Sequence, residues 1–197
     1  MINENFVIVG VIIQSIGGIG YFLDTVKGKI QPNKVSWLLW AIAPLIAFAA
    51  EVSQGVGIHS LTTFIVGFIP LIIFFASFVN KKATWQLSTF DIICGTLSIA
   101  GLVMWAVTRV GNIAIFFAIF ADGLAAIPTI VKSYKEPSSE SSLIYGLGVI
   151  NAGIALLSIS HWNFEYYAFP LYLLIIGALL YTLIQFKLGK TISNIIR

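Results

Sequence analysis

Apolar residues fall into seven long runs, at 6–24, 35–53, 60–79, 90–108, 112–132, 142–160 and 166–186, each bounded by charged, Gly or Asn residues. Each run is close to the roughly 20 largely apolar residues that a helix needs to cross a bilayer. None shows the strict alternation of a membrane β-strand, which sets a barrel aside. The pattern predicts an all-α integral membrane protein with seven transmembrane helices. Met1 to Asn5 contain no Lys or Arg, and no small-residue cleavage site follows the first run. The first run therefore reads as a retained helix rather than a secretory leader.

Composition agrees with a lipid environment. Hydrophobic residues make up 58% and charged residues 10% of the 197 positions, whereas roughly a quarter of a soluble chain is charged. The net charge of +3 does not point to nucleic acid, because the basic residues sit in short loops between apolar runs. A lone cysteine, Cys94, excludes a disulfide within the chain and a multi-cysteine metal site. Lys27, Lys29, Lys34, Lys81, Lys82, Lys132, Lys135, Lys187, Lys190 and Arg197 all fall on one side of the expected bundle, and only Arg109 falls on the other. The excess of basic residues predicts a cytoplasmic C-terminus and an outside N-terminus. Trp37, Trp40, Trp85, Trp105 and Trp162 lie near the expected span ends, where indoles favour the membrane interface.

A shift of 105 residues brings the first three runs onto the last three. Nine of the 36 positions from 18 to 53 then match: Gly18, Val26, Lys27, Pro32, Ser36, Leu38, Ala47, Ala50 and Ser53 meet identical residues at 123 to 158. Several of these are polar or loop positions, which apolar bias does not explain. A three-helix unit ends on the side opposite to its start, so a second copy joined directly would be inverted. One intervening helix makes the copies parallel. The chain thus divides into a first three-helix repeat at 1–80, a linker helix at 81–111, and a second repeat with a short tail at 112–197. Parallel repeats about an axis along the membrane normal place a solute near the midplane between them.

The segment from Ile127 to Ser141, IPTIVKSYKEPSSES, resembles the PQ-loop motif of the SWEET, SemiSWEET and lysosomal amino-acid transporter superfamily. There, a Pro-Gln pair ends the first helix of each repeat and a basic loop follows. Pro128-Thr129 stands at that pair in the second copy and Leu23-Asp24 in the first. The resemblance implies a 3+1+3 SWEET-like arrangement working by alternating access, with the first helices of the repeats in gating. Sugar-carrying members have an Asn in the third helix of each repeat. Neither 60–79 nor 166–186 contains one, so the resemblance implies the fold without a sugar substrate.

Asp122 is the most informative residue. It lies mid-span, where a charge costs about 2.5–3.5 kcal/mol on insertion scales. Ala118, Asp122, Ala125 and Thr129 form one small and polar face, opposite Phe116, Phe120, Leu124 and Ile127. Asp122 therefore points inward, either as a substrate or proton site or as a carboxyl bonded to a neighbouring helix. The first span carries a comparable stripe of Gln14, Gly17, Tyr21 and Asp24, in which Gly17 is the repeat partner of Asp122. Asp24 suits a local ion pair with Lys27 or a role in gating. Asn151 is a mid-span amide that either binds substrate or bonds across helices. Trp40 and Tyr145 are repeat partners, suited to a cavity wall or to interface anchoring. Pro44, Pro70, Pro128 and Pro170 lie inside spans and mark kinks or hinges. Glu51 and Glu165 fall at outer helix ends, and Ser88 with Asp91 has the spacing of a helix-start cap. His59 and His161 sit in separate outer loops, too sparse for a metal site.

These residues favour a transporter of a small polar solute, with Asp122 as a candidate proton carrier and no cofactor. Two repeats in one chain complete a pathway, so oligomerisation is not required. The short loops favour a prokaryotic plasma membrane. The alternative is a seven-helix receptor that binds without transport. An enzyme is disfavoured. Asp122-Gly123-Leu124-Ala125-Ala126 is similar to the opening of a lipid head-group transferase motif, but Ala126 replaces its Arg and no later aspartate pair follows. A retinal protein would need a Lys within 166–186, which has none.

Overall fold

The structure, a computed structural model, describes residues 5–53, 58, 60–83, 85–107, 111–159 and 162–189. Each apolar run forms one helix: α1 Phe6–Val26, α2 Lys34–Ser53, α3 Ser60–Ala76, α4 Thr89–Val107, α5 Gly111–Lys135, α6 Ser142–Ser158 and α7 Phe164–Gln185. Among the described residues there is no strand. Among the described residues, three stretches are long and apolar enough to cross a membrane: Phe6–Val26, Ile115–Lys135 and Tyr167–Gln185. The expectation of seven spanning helices narrows accordingly. Helices α3 and α6 have 17 residues each. At 1.5 Å per residue they extend about 26 Å, short of a hydrocarbon core of about 30 Å.

Local chemistry sets the helix ends. Gly28 has φ +70° just past α1, and its amide returns to the Thr25 carbonyl at 2.9 Å, a left-handed stop that glycine adopts without Cβ strain. A Cβ there would also meet the Asn80 side-chain nitrogen at 2.8 Å, and that amide donates to the Val26 carbonyl at 3.0 Å. Position 133, one repeat later, is Ser, and α5 runs on to Lys135. Asn33 starts α2 by accepting from the Val35 amide at 3.0 Å, while its own amide donates to Asp91 at 3.0 Å. Asp91 accepts from the Ser88 amide at 2.6 Å, and its own amide meets the Ser88 hydroxyl at 3.3 Å. This is the reciprocal cap that the sequence spacing predicts.

Those contacts also fix the directions of the helices. The end of α1 meets the end of α3 through Asn80, and the starts of α2 and α4 meet through Asn33 and Asp91. Tyr21 near the end of α1 reaches Glu140 before α6, and Ser142 donates to Gln185 at the end of α7. The described lysines from Lys27 to Lys187 therefore gather at one end of the bundle.

Helix α3 packs against both α1 and α2, and α7 packs against both α5 and α6. Helix α1 lies on α6, α2 lies on α5, and α4 runs along α5 and α2. Exchanging α1, α2 and α3 for α5, α6 and α7 leaves the pairings among those six helices unchanged, whereas α4 packs on one side only, against α5 and α2. Small residues permit the closest approaches. A Cβ at Gly17 would sit 3.1 Å from the Ile144 Cα, and one at Gly101 2.9 Å from the Ala121 Cβ. The outside of the bundle is apolar: Ile16 on α1, Phe75 on α3, Val103 on α4, Phe116 on α5, Leu157 on α6 and Ile175 on α7 are all more than half exposed.

Candidate functional site

Helices α1, α2, α3, α5, α6 and α7 enclose a central cavity of about 130 Å³. Gln14, Trp37, Trp40, Asp122, Tyr145 and Asn151 supply its polar and aromatic wall. A larger cavity of about 370 Å³ adjoins it towards the end away from the lysines, lined among others by Pro44, Thr62, Thr63, Ala118 and Pro170. Asp122 and Asn151 border both cavities.

Each of these side chains is placed by its neighbours. The Tyr172 hydroxyl on α7 donates to the Asp122 carboxylate at 2.6 Å. Subtracting 105 from this pair gives Gly17 and Gly67. The first half thus carries two glycines where the second carries a carboxylate and its phenol. Those glycines serve packing, since a Cβ at Gly67 would lie 2.8 Å from the Leu45 side chain and 3.0 Å from its amide nitrogen. Asn151 is buried against α1, where only the absence of a Cβ at Gly10 leaves room for its amide oxygen. The Gln14 amide oxygen lies 3.6 Å from where a Gly148 Cβ would be, and it is buried without a hydrogen-bond partner. The Trp40 indole nitrogen is likewise buried and unpartnered.

Five expected site residues thus converge on one cavity: Gln14, Trp40, Asp122, Tyr145 and Asn151. Trp40 and Trp37 form the wall rather than facing a membrane surface, with Trp37 only 2% exposed and the two rings 5.3 Å apart edge-to-face. Tyr21 and Thr129 are not in the wall. They are fully buried between the cavity and the lysine-rich end, because partners there capture both hydroxyls. Tyr21 donates to Glu140 at 2.5 Å, and Thr129 donates to the Ser36 hydroxyl at 2.9 Å. Asp24 pairs with Lys29 at 3.2 Å rather than with Lys27, because the chain turns back at Gly28. Pro70 lines the central cavity, Pro44 and Pro170 line the larger one, and Pro128 is buried beside Thr129. All four lie inside continuous helices. His59, His161 and Arg109 lie outside the described residues, as do the side chains of Glu51 and Glu165.

The layer beneath the cavity contains a dense polar cluster, of which the sequence pattern marked Tyr21 and Tyr145 as candidate site residues but placed Lys132 and Glu140 only in the basic loop. Lys132 is 1% exposed and forms an ion pair with Glu140, itself buried, while donating to the Gln31 carbonyl. Its ammonium also sits 5.1 Å over the Trp85 ring. Glu140 accepts from Tyr21 and from Tyr145, the latter at 3.3 Å. Ser36 donates to the Ala125 carbonyl at 2.6 Å. These bonds tie α1 and the start of α2 to α5 and the start of α6. The only hint in the sequence is an acidic residue in a basic loop. Tyr172 gave no hint, since a tyrosine in an apolar helix has many possible partners.

No family model matches the chain, and no curated protein or solved structure shows detectable similarity to it.

Proposed function

We propose that the protein is a membrane carrier that moves a small polar solute by alternating access between two parallel three-helix repeats, α1–α3 and α5–α7, joined by α4. One observation carries this reading: a carboxylate mid-helix in α5 borders two adjoining cavities enclosed by helices from both halves. A charge there is costly, and an inert scaffold has no need of one beside a void. The matched packing of the two triplets supports the repeat, and the apolar outer surface supports immersion of all seven helices in lipid. The SWEET-like and PQ-loop resemblance at Pro128-Thr129 points the same way. The lysine-rich end faces the cytoplasm on the positive-inside rule, and a prokaryotic plasma membrane suits the short loops.

In this reading the cavity is closed at the lysine-rich end by the Lys132, Glu140, Tyr21 and Ser36 bonds. Opening requires the halves to part there while contacts form at the other end. Asp122 is the candidate proton carrier. The test is solute uptake into proteoliposomes with and without a pH gradient. Asp122→Asn is expected to abolish gradient-driven accumulation while leaving gradient-independent exchange at saturating solute. Accumulation equal to the unaltered protein would remove the coupling role. Saturable binding with no flux would replace the carrier with a receptor.

A further inference from the structure

Resting on the carrier reading, we infer that the solute is a small organic cation, a protonated amine on an apolar or aromatic body, with its ammonium on Asp122 and its body against Trp40 and Tyr145. The inference follows from what the cavity offers and what it lacks. Among the described residues, Asp122 is the one acidic or basic side chain in the walls of either cavity. No Lys, Arg or His among the described residues lines either one. A phosphate, a sulfate or a free carboxylate would enter with no counter-charge, and burying an unpaired charge is strongly unfavourable. The Asp122 carboxylate has a neutral phenol as its hydrogen-bond partner at 2.6 Å. Among the described residues, no cationic side chain pairs with it.

The remaining wall fits the rest of such a molecule. The central cavity is mainly apolar, and aromatic faces attract an organic cation through their quadrupoles. Among the described residues, three buried polar atoms of this wall have no hydrogen-bond partner: the Gln14 amide oxygen and the Trp37 and Trp40 indole nitrogens. The Gln14 amide oxygen needs a donor, which an ammonium N–H supplies. The Trp40 indole N–H needs an acceptor, which one hydroxyl, carbonyl or ring nitrogen on the solute supplies. Buried polar groups in folded proteins are rarely left unpaired. A protonated amine offers N–H donors to Asp122 and Gln14, which line the same cavity. A quaternary ammonium would leave Gln14 unmet, and a neutral sugar would leave Asp122 without its counter-charge.

The test uses the full chain in detergent and three probes that share one ring and differ in charge: tyramine, its neutral alcohol tyrosol, and the anion 4-hydroxyphenylacetate. Phenethylamine, histamine and tryptamine vary the body. Titration followed by thermal stabilisation is expected to show at least tenfold tighter binding of one or more amines than of tyrosol, and no binding of the anion. Asp122→Asn is expected to remove that preference for amine over alcohol. Equal binding of tyramine and tyrosol, preference for the anion, or no response to any of the four amines would each overturn the assignment. The charge series on the unaltered protein stands even where the variant fails to fold. Flux in proteoliposomes separates the two ideas. Amine binding without amine transport keeps the cation site and defeats the carrier, whereas transport of tyrosol in preference to tyramine keeps the carrier and defeats the cation.

Discussion

Lys132 and Glu140 show how one buried pair depends on its surroundings. An ammonium with 1% exposure is tolerable only because Glu140, the Gln31 carbonyl and the Trp85 ring surround it. Removing one partner leaves an uncompensated buried charge, which costs about 3–5 kcal/mol, whereas replacing both with apolar groups is often neutral. Lys132→Met is therefore expected to lower unfolding stability in detergent by about that amount. Adding Glu140→Leu is expected to restore most of the loss. A double variant as unstable as the single one would show that the Tyr21 and Tyr145 bonds to Glu140, rather than the ion pair, hold this layer together. Asp24 and Lys29 make the contrast. With side chains 34% and 63% exposed, they form a surface pair, worth at most about 1 kcal/mol.

Between elements, the glycines decide how closely helices approach. Gly67 on α3 faces the α2 backbone, with the Ala41 carbonyl 3.2 Å from a would-be Cβ, so the neighbour cannot yield by rotating a side chain. Gly67→Ala is expected to destabilise the bundle by about 1–3 kcal/mol through overpacking. At Gly153 on α6 a Cβ would meet nothing within 4 Å. Gly153→Ala is expected to be neutral or stabilising by up to about 1 kcal/mol, from the better helix propensity of alanine. Thermal unfolding of the two variants side by side checks both. Equal losses would mean that helix propensity rather than interhelical distance governs these positions.

Across the molecule, polar bonds cluster at the lysine-rich end and the larger cavity lies towards the other. Under the proposed carrier function, alternating access would require that cluster to break in each cycle. The Ser36 and Thr129 hydroxyls are 2.9 Å apart across the two halves, close enough that cysteines at both positions can bridge. In a Cys94→Ala background, oxidised Ser36→Cys/Thr129→Cys protein is expected to lose solute flux and regain it on reduction, with solute binding retained. Undiminished flux in the cross-linked protein would show that this end does not open.

Much of the architecture was legible along the chain, because apolar runs of helical length and a glycine that stops a helix act over short distances. The seven runs became seven helices, Ser88 and Asp91 became the predicted cap, and the inward face of α5 placed Ala125 and Thr129 in the interior. Asp122 stood out because a carboxylate inside an apolar run is costly wherever the helix packs. Its partner Tyr172, 50 positions away, is fixed only by how α7 crosses α5. The same holds for Tyr21 and Glu140, separated by 119 positions. Their pairing drew Tyr21 out of the cavity wall where its helical stripe had placed it. One-dimensional periodicity sets which face of a helix turns inward. Which residues meet on that face, and which of them border empty space, depends on the distances between helices, and those are set by side chains on several helices at once.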